Sequence, residues 1–297
     1  MLRYFAILPL LLFTNLVFGQ SKADTTYVAE YPQRVMLTGF LTQNSIQLAR
    51  DEKEYMPNNP LKVGAGIAIK NTVINLSYNF GLAPLADKRQ GDTKAVDIQL
   101  HQYGRYFVLD LFYQKYKGFY SDNNDDVQLF PDMSVRNIGA EFAYVFKGDK
   151  FSTKAAFQQS EIQLKSAGSF ILGGGAYLFR INPGGELWEN DPNHLDNLQF
   201  GVNAGYAYTW VINERWLLTG ILTAGVNVGN DPDMLRDWKL EAYPTALGRW
   251  SGVYHKNDWA VAATVLVNNK TLYPDGEGDL NFTGINFQMS FVKHIDF

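Results

Sequence analysis

Residues 284–297 read GINFQMSFVKHIDF, and their spacing decides the fold. Ile285, Phe287, Met289, Phe291, Ile295 and Phe297 recur at every second position or a multiple of it, while Asn286, Gln288, Ser290, His294 and Asp296 fill the other parity. A period of two belongs to a strand with one apolar face and one polar face. Chain ends usually fray and finish on small or charged residues. A regular strand running to a final aromatic therefore predicts a terminal strand packed into a larger sheet.

The same alternation recurs along the chain. It is clear in VGAGIAIK (63–70), TVINLSYNF (72–80), AVDIQLHQYG (95–104) and YFVLDLFYQKY (106–116). It returns in VRNIGAEFAYVF (135–146), LQFGVNAGYAYTW (198–210), WLLTGILTAGVNVG (216–229) and WAVAATVLVNN (259–269). Each segment has about the length of a tilted membrane-crossing strand. Short turns join several of them, at Lys70-Asn71, Gly104-Arg105, Gly148-Asp149-Lys150, Asn213-Glu214-Arg215 and Lys256-Asn257-Asp258. Longer polar loops are expected at 51–60, 81–92, 118–132, 182–196, 230–239 and 273–280. Short turns alternating with long loops are the signature of an outer-membrane β-barrel, with the short turns periplasmic. Tyr206, Tyr208 and Trp210, with Trp216, Trp259, Tyr113, Phe119 and Tyr120, stand where interfacial girdles belong.

Composition agrees. The 297 residues include 20 Phe, 17 Tyr and 26 Gly, which suits many strands and tight turns. Mean hydropathy is -0.19, as expected when lipid-facing and water-facing residues alternate and average out. There is no cysteine, which excludes disulfide scaffolds and thiol catalysis. A formal charge of -4 is too mild to point to nucleic acid. The opening MLRYFAILPLLLFTNLVFGQ places Arg3 before an apolar run from Tyr4 to Phe18, with Val17 and Gly19 ahead of a cut before Gln20. That pattern predicts a signal peptide over 1–19, a periplasmic segment over 20–33 and the barrel over 34–297.

An even strand number follows if both mature ends are periplasmic. The stretch from Phe151 to Ile181 is too long for one strand. Counting one net crossing there, with an excursion or bulged bend over Gln158 to Ser166, gives about 12 strands; three crossings give 14.

Four segments resemble one known family: DTTYV (24–28), YMPNNPLKVGAGIAIK (55–70), DIQLHQYGRYFVLDLFYQKYKGFY (97–120) and KSAGSF (165–170). They are similar to outer-membrane proteins of Bacteroidota-type bacteria grouped as domain-of-unknown-function family 4421. The resemblance implies an outer-membrane barrel in a Gram-negative envelope, surrounded by outer-membrane lipid, and carries no activity. Phe297 also resembles the C-terminal signal read by the barrel assembly machinery.

Parity predicts the lumenal residues. Val96, Ile98 and Leu100 point outward, so Asp97, Gln99, His101 and Tyr103 point inward. A two-residue turn at Gly104-Arg105 would pair Gln99 with Asp110 and make His101 and Asp110 diagonal neighbours. Asp110, Gln114, Asn137, Glu141, Asn203 and Thr209 share the inward parity, and Arg249 joins them unless Pro244 shifts its strand.

Three functions compete. A polar network filling a narrow barrel fits solute binding, solute passage or an envelope role. A His101 general base oriented by Asp110 would fit a hydrolase of lipid or peptide, but no serine stands beside it. A surface-binding role would use loops 118–132 and 182–196, the latter with Trp188. Cofactor and metal motifs fail: GAGIAIK lies within a strand, SDNNDDV (121–127) lacks the glycine and distal acid of a calcium loop, and His194 lacks partner ligands. GGG at 173–175 reads as a close strand contact.

Overall fold

The computed structural model describes residues 22–50, 53–59, 61–69, 72–78, 88–123, 126–184, 194–230, 240–272 and 280–296. The predicted signal peptide, the Lys70-Asn71 turn, Trp188 and Phe297 lie outside them.

Twelve strands form one continuous antiparallel path. In chain order they are β2 (Val35–Arg50), β4 (Lys62–Ile69), β5 (Thr72–Tyr78), β6 (Lys94–Tyr103), β7 (Phe107–Asn123) and β8 (Asp126–Val145), followed by β10 (Ala167–Asn182), β11 (Leu195–Val211), β12 (Trp216–Asn230), β13 (Glu241–Lys256), β14 (Trp259–Leu272) and β15 (Leu280–Ile295). Short β3 (Lys53–Tyr55) pairs with β2 off the path. Neighbours in the sheet are neighbours in sequence, except that β15 pairs with β2 from Ile295↔Val35 to Leu280↔Arg50. The strand that opened the sequence argument thus joins the two ends of the chain. Among the described residues, β5 and β6 end the path with no register between them. The wall is stitched there at the long-loop end, where Met56 and Tyr120 exchange two 2.9 Å backbone hydrogen bonds.

The outer face is apolar. Ile98, Phe142, Phe170, Leu172, Val202, Leu222, Val226 and Phe291 are all exposed on outward parity. So are Tyr206, Tyr208, Trp210 and Trp216, which cluster at the short-turn end. An apolar belt with an aromatic girdle is the surface of a membrane-spanning barrel, which has no other use for so much exposed hydrocarbon.

The structure corrects the sequence reading in three places. The Gly104-Arg105 turn is longer than two residues: Tyr103 pairs with Val108, so His101 stands directly opposite Asp110. Residues 118–132 are not a loop, because β7 and β8 continue as a hairpin arm to Asn123 and Asp126. Gly118 lies at a register shift in that arm, and Phe119 beyond it is buried rather than in a girdle. Third, Gly148-Asp149-Lys150 does not return the chain to the wall.

Within the all-β fold, Thr153–Phe157 form a one-turn helix, α1. Ser152 caps it, accepting a hydrogen bond from the Ala155 backbone N–H at 3.0 Å. Gln159, at φ 56°, follows its C-terminal end in the left-handed region. A helix this short is held by packing, not propensity. Phe151, Ala155, Ala156 and Phe157 are buried, and Phe151, Ala156 and Phe157 pack with Val108, Val145, Ile171, Ala207 and Ile221. The chain then forms β9 (Glu161–Gln163), which pairs with β1 (Val28–Glu30), before β10 supplies the single crossing.

Candidate functional site

Alternation places one set of polar side chains inside, and three levels result. At the long-loop end an apolar cluster fills one side of the lumen, beside the hydrogen-bonded Gln199 and Asn227 of β11 and β12. Ile46, Leu48, Tyr55, Tyr116, Phe119, Phe130, Met133, Phe179, Leu272, Leu280 and Phe282, from β2, β3, β7, β8, β10, β14 and β15, form one buried cluster. At the short-turn end, the segment carrying α1 fills the opening. Ser251 Oγ on β13 donates to Ala156 O at 2.6 Å, and His294 Nε2 on β15 meets Gln159 O at 2.9 Å. Arg105 donates from both terminal nitrogens to Glu161, at 3.0 and 2.5 Å. This plug is thus fixed to several separate parts of the wall.

Between the two seals lies a polar layer. Asp110 is at its centre. Its Oδ1 lies 2.6 Å from His101 Nδ1, and its Oδ2 accepts from Arg249 Nη2 at 2.6 Å. Arg249, on β13, also donates to the Tyr103 hydroxyl at 2.9 Å, and its guanidinium carbon lies 5.6 Å from the centres of the Tyr103 and Phe157 rings. Glu141 is paired directly with Asp110 across β7 and β8. Its Oε1 accepts from Tyr177, Asn268 and Lys270, at 2.9, 2.8 and 3.0 Å. Two adjacent carboxylates are thus each met by a cation from β13 or β14. Buried charges persist when paired and hydrogen-bonded in this way.

Among the described residues, Asp97 has no such cation. Its partners are neutral donors: Gln99 at 2.9 Å, Tyr116 at 2.5 Å and Gln114 at 3.4 Å. Gln114 in turn accepts from Asn137 Nδ2 at 3.1 Å. The Asn137 Oδ1 is buried without a hydrogen-bond partner. Asn44 and Asn286 hydrogen-bond to each other on the β2–β15 side.

A cavity of about 50 Å³ lies in this layer. Gln99, His101, Asp110, Gln114, Asn137, Glu141, Asn268, Lys270 and Asn286 line it together with Phe112, Leu247, Leu266 and Phe282. One water needs roughly 10–15 Å³ by this kind of measure, so the space holds several waters or a small solute. Its described lining includes no serine or threonine to act as a nucleophile.

Of the residues singled out from sequence, Asp97, Gln99, His101, Asp110, Gln114, Asn137, Glu141 and Arg249 meet in this layer. Asn203 shares the inward parity but takes no part in the network. Sequence reasoning missed Lys270, Asn268, Tyr116 and Tyr177. Lys270 has the inward parity of Ala260 and Ala262, and extending the strand past Asn269 would have found it. Glu161 lies in a segment with no period to read. His194 is exposed at the wall's edge, 3.6 Å from Asp196. Among the described residues, no group of three or more acidic, histidine or cysteine side chains could hold a metal.

Residues 22–290 match the family described as a domain of unknown function, DUF4421. No functionally curated protein matches the chain. Among solved structures, the outer membrane protease OmpT of Escherichia coli is similar at 9% identity, covering 89% of this chain and 97% of that one, with a TM-score of 0.35. The toluene transporter TodX of P. putida is similar at 7% identity, covering 90% and 91%, with a TM-score of 0.30. OprG of Pseudomonas aeruginosa is similar at 10% identity, covering 91% and 99%, with a TM-score of 0.26. Likenesses this distant carry no argument about what the chain binds.

Proposed function

The chain belongs to the DUF4421 family, and on that premise we propose that it is an outer-membrane barrel that holds a small, hydrogen-bonding solute in a closed lumenal chamber. The observation that carries this reading is the position of the cavity. It lies between an apolar seal and a helical plug, and it faces an unpartnered buried acceptor on Asn137. A buried acceptor left without a donor costs about 1–3 kcal/mol, so a solute or water that donates to it is favoured there. The paired charges around the chamber select small polar molecules over apolar ones.

The hydrolase reading has the His101–Asp110 contact in its favour. However, both Asp110 oxygens are engaged, and the cavity lining supplies no side-chain nucleophile, so only an activated water would serve. The chamber reading requires no such reagent.

Conductance of the refolded mature protein in a planar bilayer tests the proposal. The intact barrel is expected to be silent, and removal of residues 151–163 alone is expected to leave it silent, because the apolar cluster still closes the long-loop end. Steady steps from the intact barrel would instead mean an open pore.

A further inference from the structure

The outer wall carries cations where a membrane barrel normally carries hydrocarbon. Lys115 on β7 is paired with Arg136 on β8, and Arg136 with Arg180 on β10. One step nearer the loops, Lys94 on β6 faces Lys117 on β7. All five have outward parity. Cross-strand partners have Cβ atoms about 4.5–5.5 Å apart, and like charges in that position destabilise a sheet. Among the described residues two carboxylates answer them: Asp132 lies 3.0 Å from Lys117, and Asp196 forms a two-pronged pair with Arg180 and lies within electrostatic reach of Arg136. Among the described residues, Arg136 makes no direct ion pair, and Lys94 and Lys115 have no carboxylate partner.

Their height is informative. Below Arg136, the outward residues are Ile138, Ala140, Phe142 and Tyr144 of β8 and then Phe146 just past its end, whose backbone N–H donates to Phe170, itself ring-paired with Tyr206. Ten residues of strand span about 33 Å, and at a tilt of about 40° they rise about 25 Å, the height of a barrel's apolar band. The cation row therefore sits one band height above the short-turn girdle, at the headgroup level of the outer leaflet. A guanidinium forks onto phosphate oxygens, and a neighbouring ammonium adds a point charge.

We propose that Lys115 and Arg136, flanked by Lys94, bind the phosphate groups of a lipid headgroup in the outer leaflet. The bound phosphate supplies the counter-charge that lets like charges stand abreast across β7 and β8.

The test refolds the protein into phosphatidylcholine vesicles and titrates lipid A, reading the temperature at which the folded barrel's gel migration is lost. Lipid A is expected to raise that temperature. Lys115→Gln with Arg136→Gln is expected to weaken the apparent affinity about 25-fold, from about 1 kcal/mol per surface cation. Lys147→Gln with Lys256→Gln, an equal charge change at the short-turn end, is expected to leave it unchanged. If the double change impairs folding, Lys115→Gln alone reads the same comparison at about fivefold. Equal weakening by both pairs, or none by the first, would overturn the proposal. So would an equal rise from inorganic phosphate alone, which would identify a free-anion site.

Discussion

Arg249 on β13 reaches across the lumen to Asp110 on β7, closing an N–O distance of 2.6 Å with both residues buried. This contact joins walls far apart in the sheet path and sits beside the chamber. Removing one member of a buried pair leaves the other charge unpaired, which typically costs about 3–5 kcal/mol. Arg249→Met is therefore expected to destabilise the barrel by about that amount. Arg249→Met combined with Asp110→Leu, which removes both charges, is expected to recover most of the loss. Urea unfolding of the three variants in vesicles measures the difference. A double variant no better than Arg249→Met would show that the pair's packing, not its charge balance, is what counts.

The plug depends on packing as much as on polar contacts. Phe151 is fully buried beneath the barrel, and truncating a buried phenylalanine costs about 3–5 kcal/mol. If that loss is local, Phe151→Ala loosens the plug while the wall persists. The expected result is faster amide exchange in residues 151–163 of a barrel that still resists heat in a gel. Wall unfolding together with the plug would instead make the two a single cooperative unit.

The sequence made the wall legible and the plug illegible, for a physical reason. Period-two alternation survives any register slip of two residues. The turn after Tyr103 is two residues longer on the β7 side than its Gly104-Arg105 signature implied, yet Asp97, His101 and Asp110 kept their faces. Only the pairing changed, from diagonal to directly opposite. Residues 151–163 have no sustained period, because they contact wall, plug and N-terminal segment by turns. A five-residue helix held by tertiary contacts leaves no periodic trace. Lys270 escaped because it lies one residue past the alternating segment 259–269, where the inward parity was not extended.

Gly118 tests the hairpin arm. It adopts φ 90°, and a Cβ there would lie 2.4 Å from the Asp92 carbonyl oxygen. Its own carbonyl accepts from Thr93 Oγ1 at 2.7 Å. Gly118→Ala therefore meets both an unfavourable backbone conformation and a backbone clash, costing on the order of 1–3 kcal/mol. The expected signature is faster amide exchange in residues 117–123 and 126–132, with the rest of the wall unchanged. Uniform exchange rates in wild type and variant would mean that the arm absorbs the change.

Tyr31 gives the pH dependence. It lies before the first wall strand and stacks on His294, with ring centres 3.6 Å apart. Burial, reinforced by the negative charge of Asp258, pushes its hydroxyl up to about 12, against about 10 for an unfolded tyrosine. A raised value means that the folded state holds the proton more tightly. The stability linked to Tyr31 is therefore complete below about pH 10 and is lost as pH rises through about 12. Tyr31→Phe keeps the ring and removes the proton, so it is expected to be less sensitive to alkali than wild type across that window. The comparison requires thermal unfolding of both proteins at matched pH, because other tyrosines titrate in the same range and only the difference reports Tyr31. Identical curves would mean that the Tyr31 hydroxyl reaches solvent when it ionises.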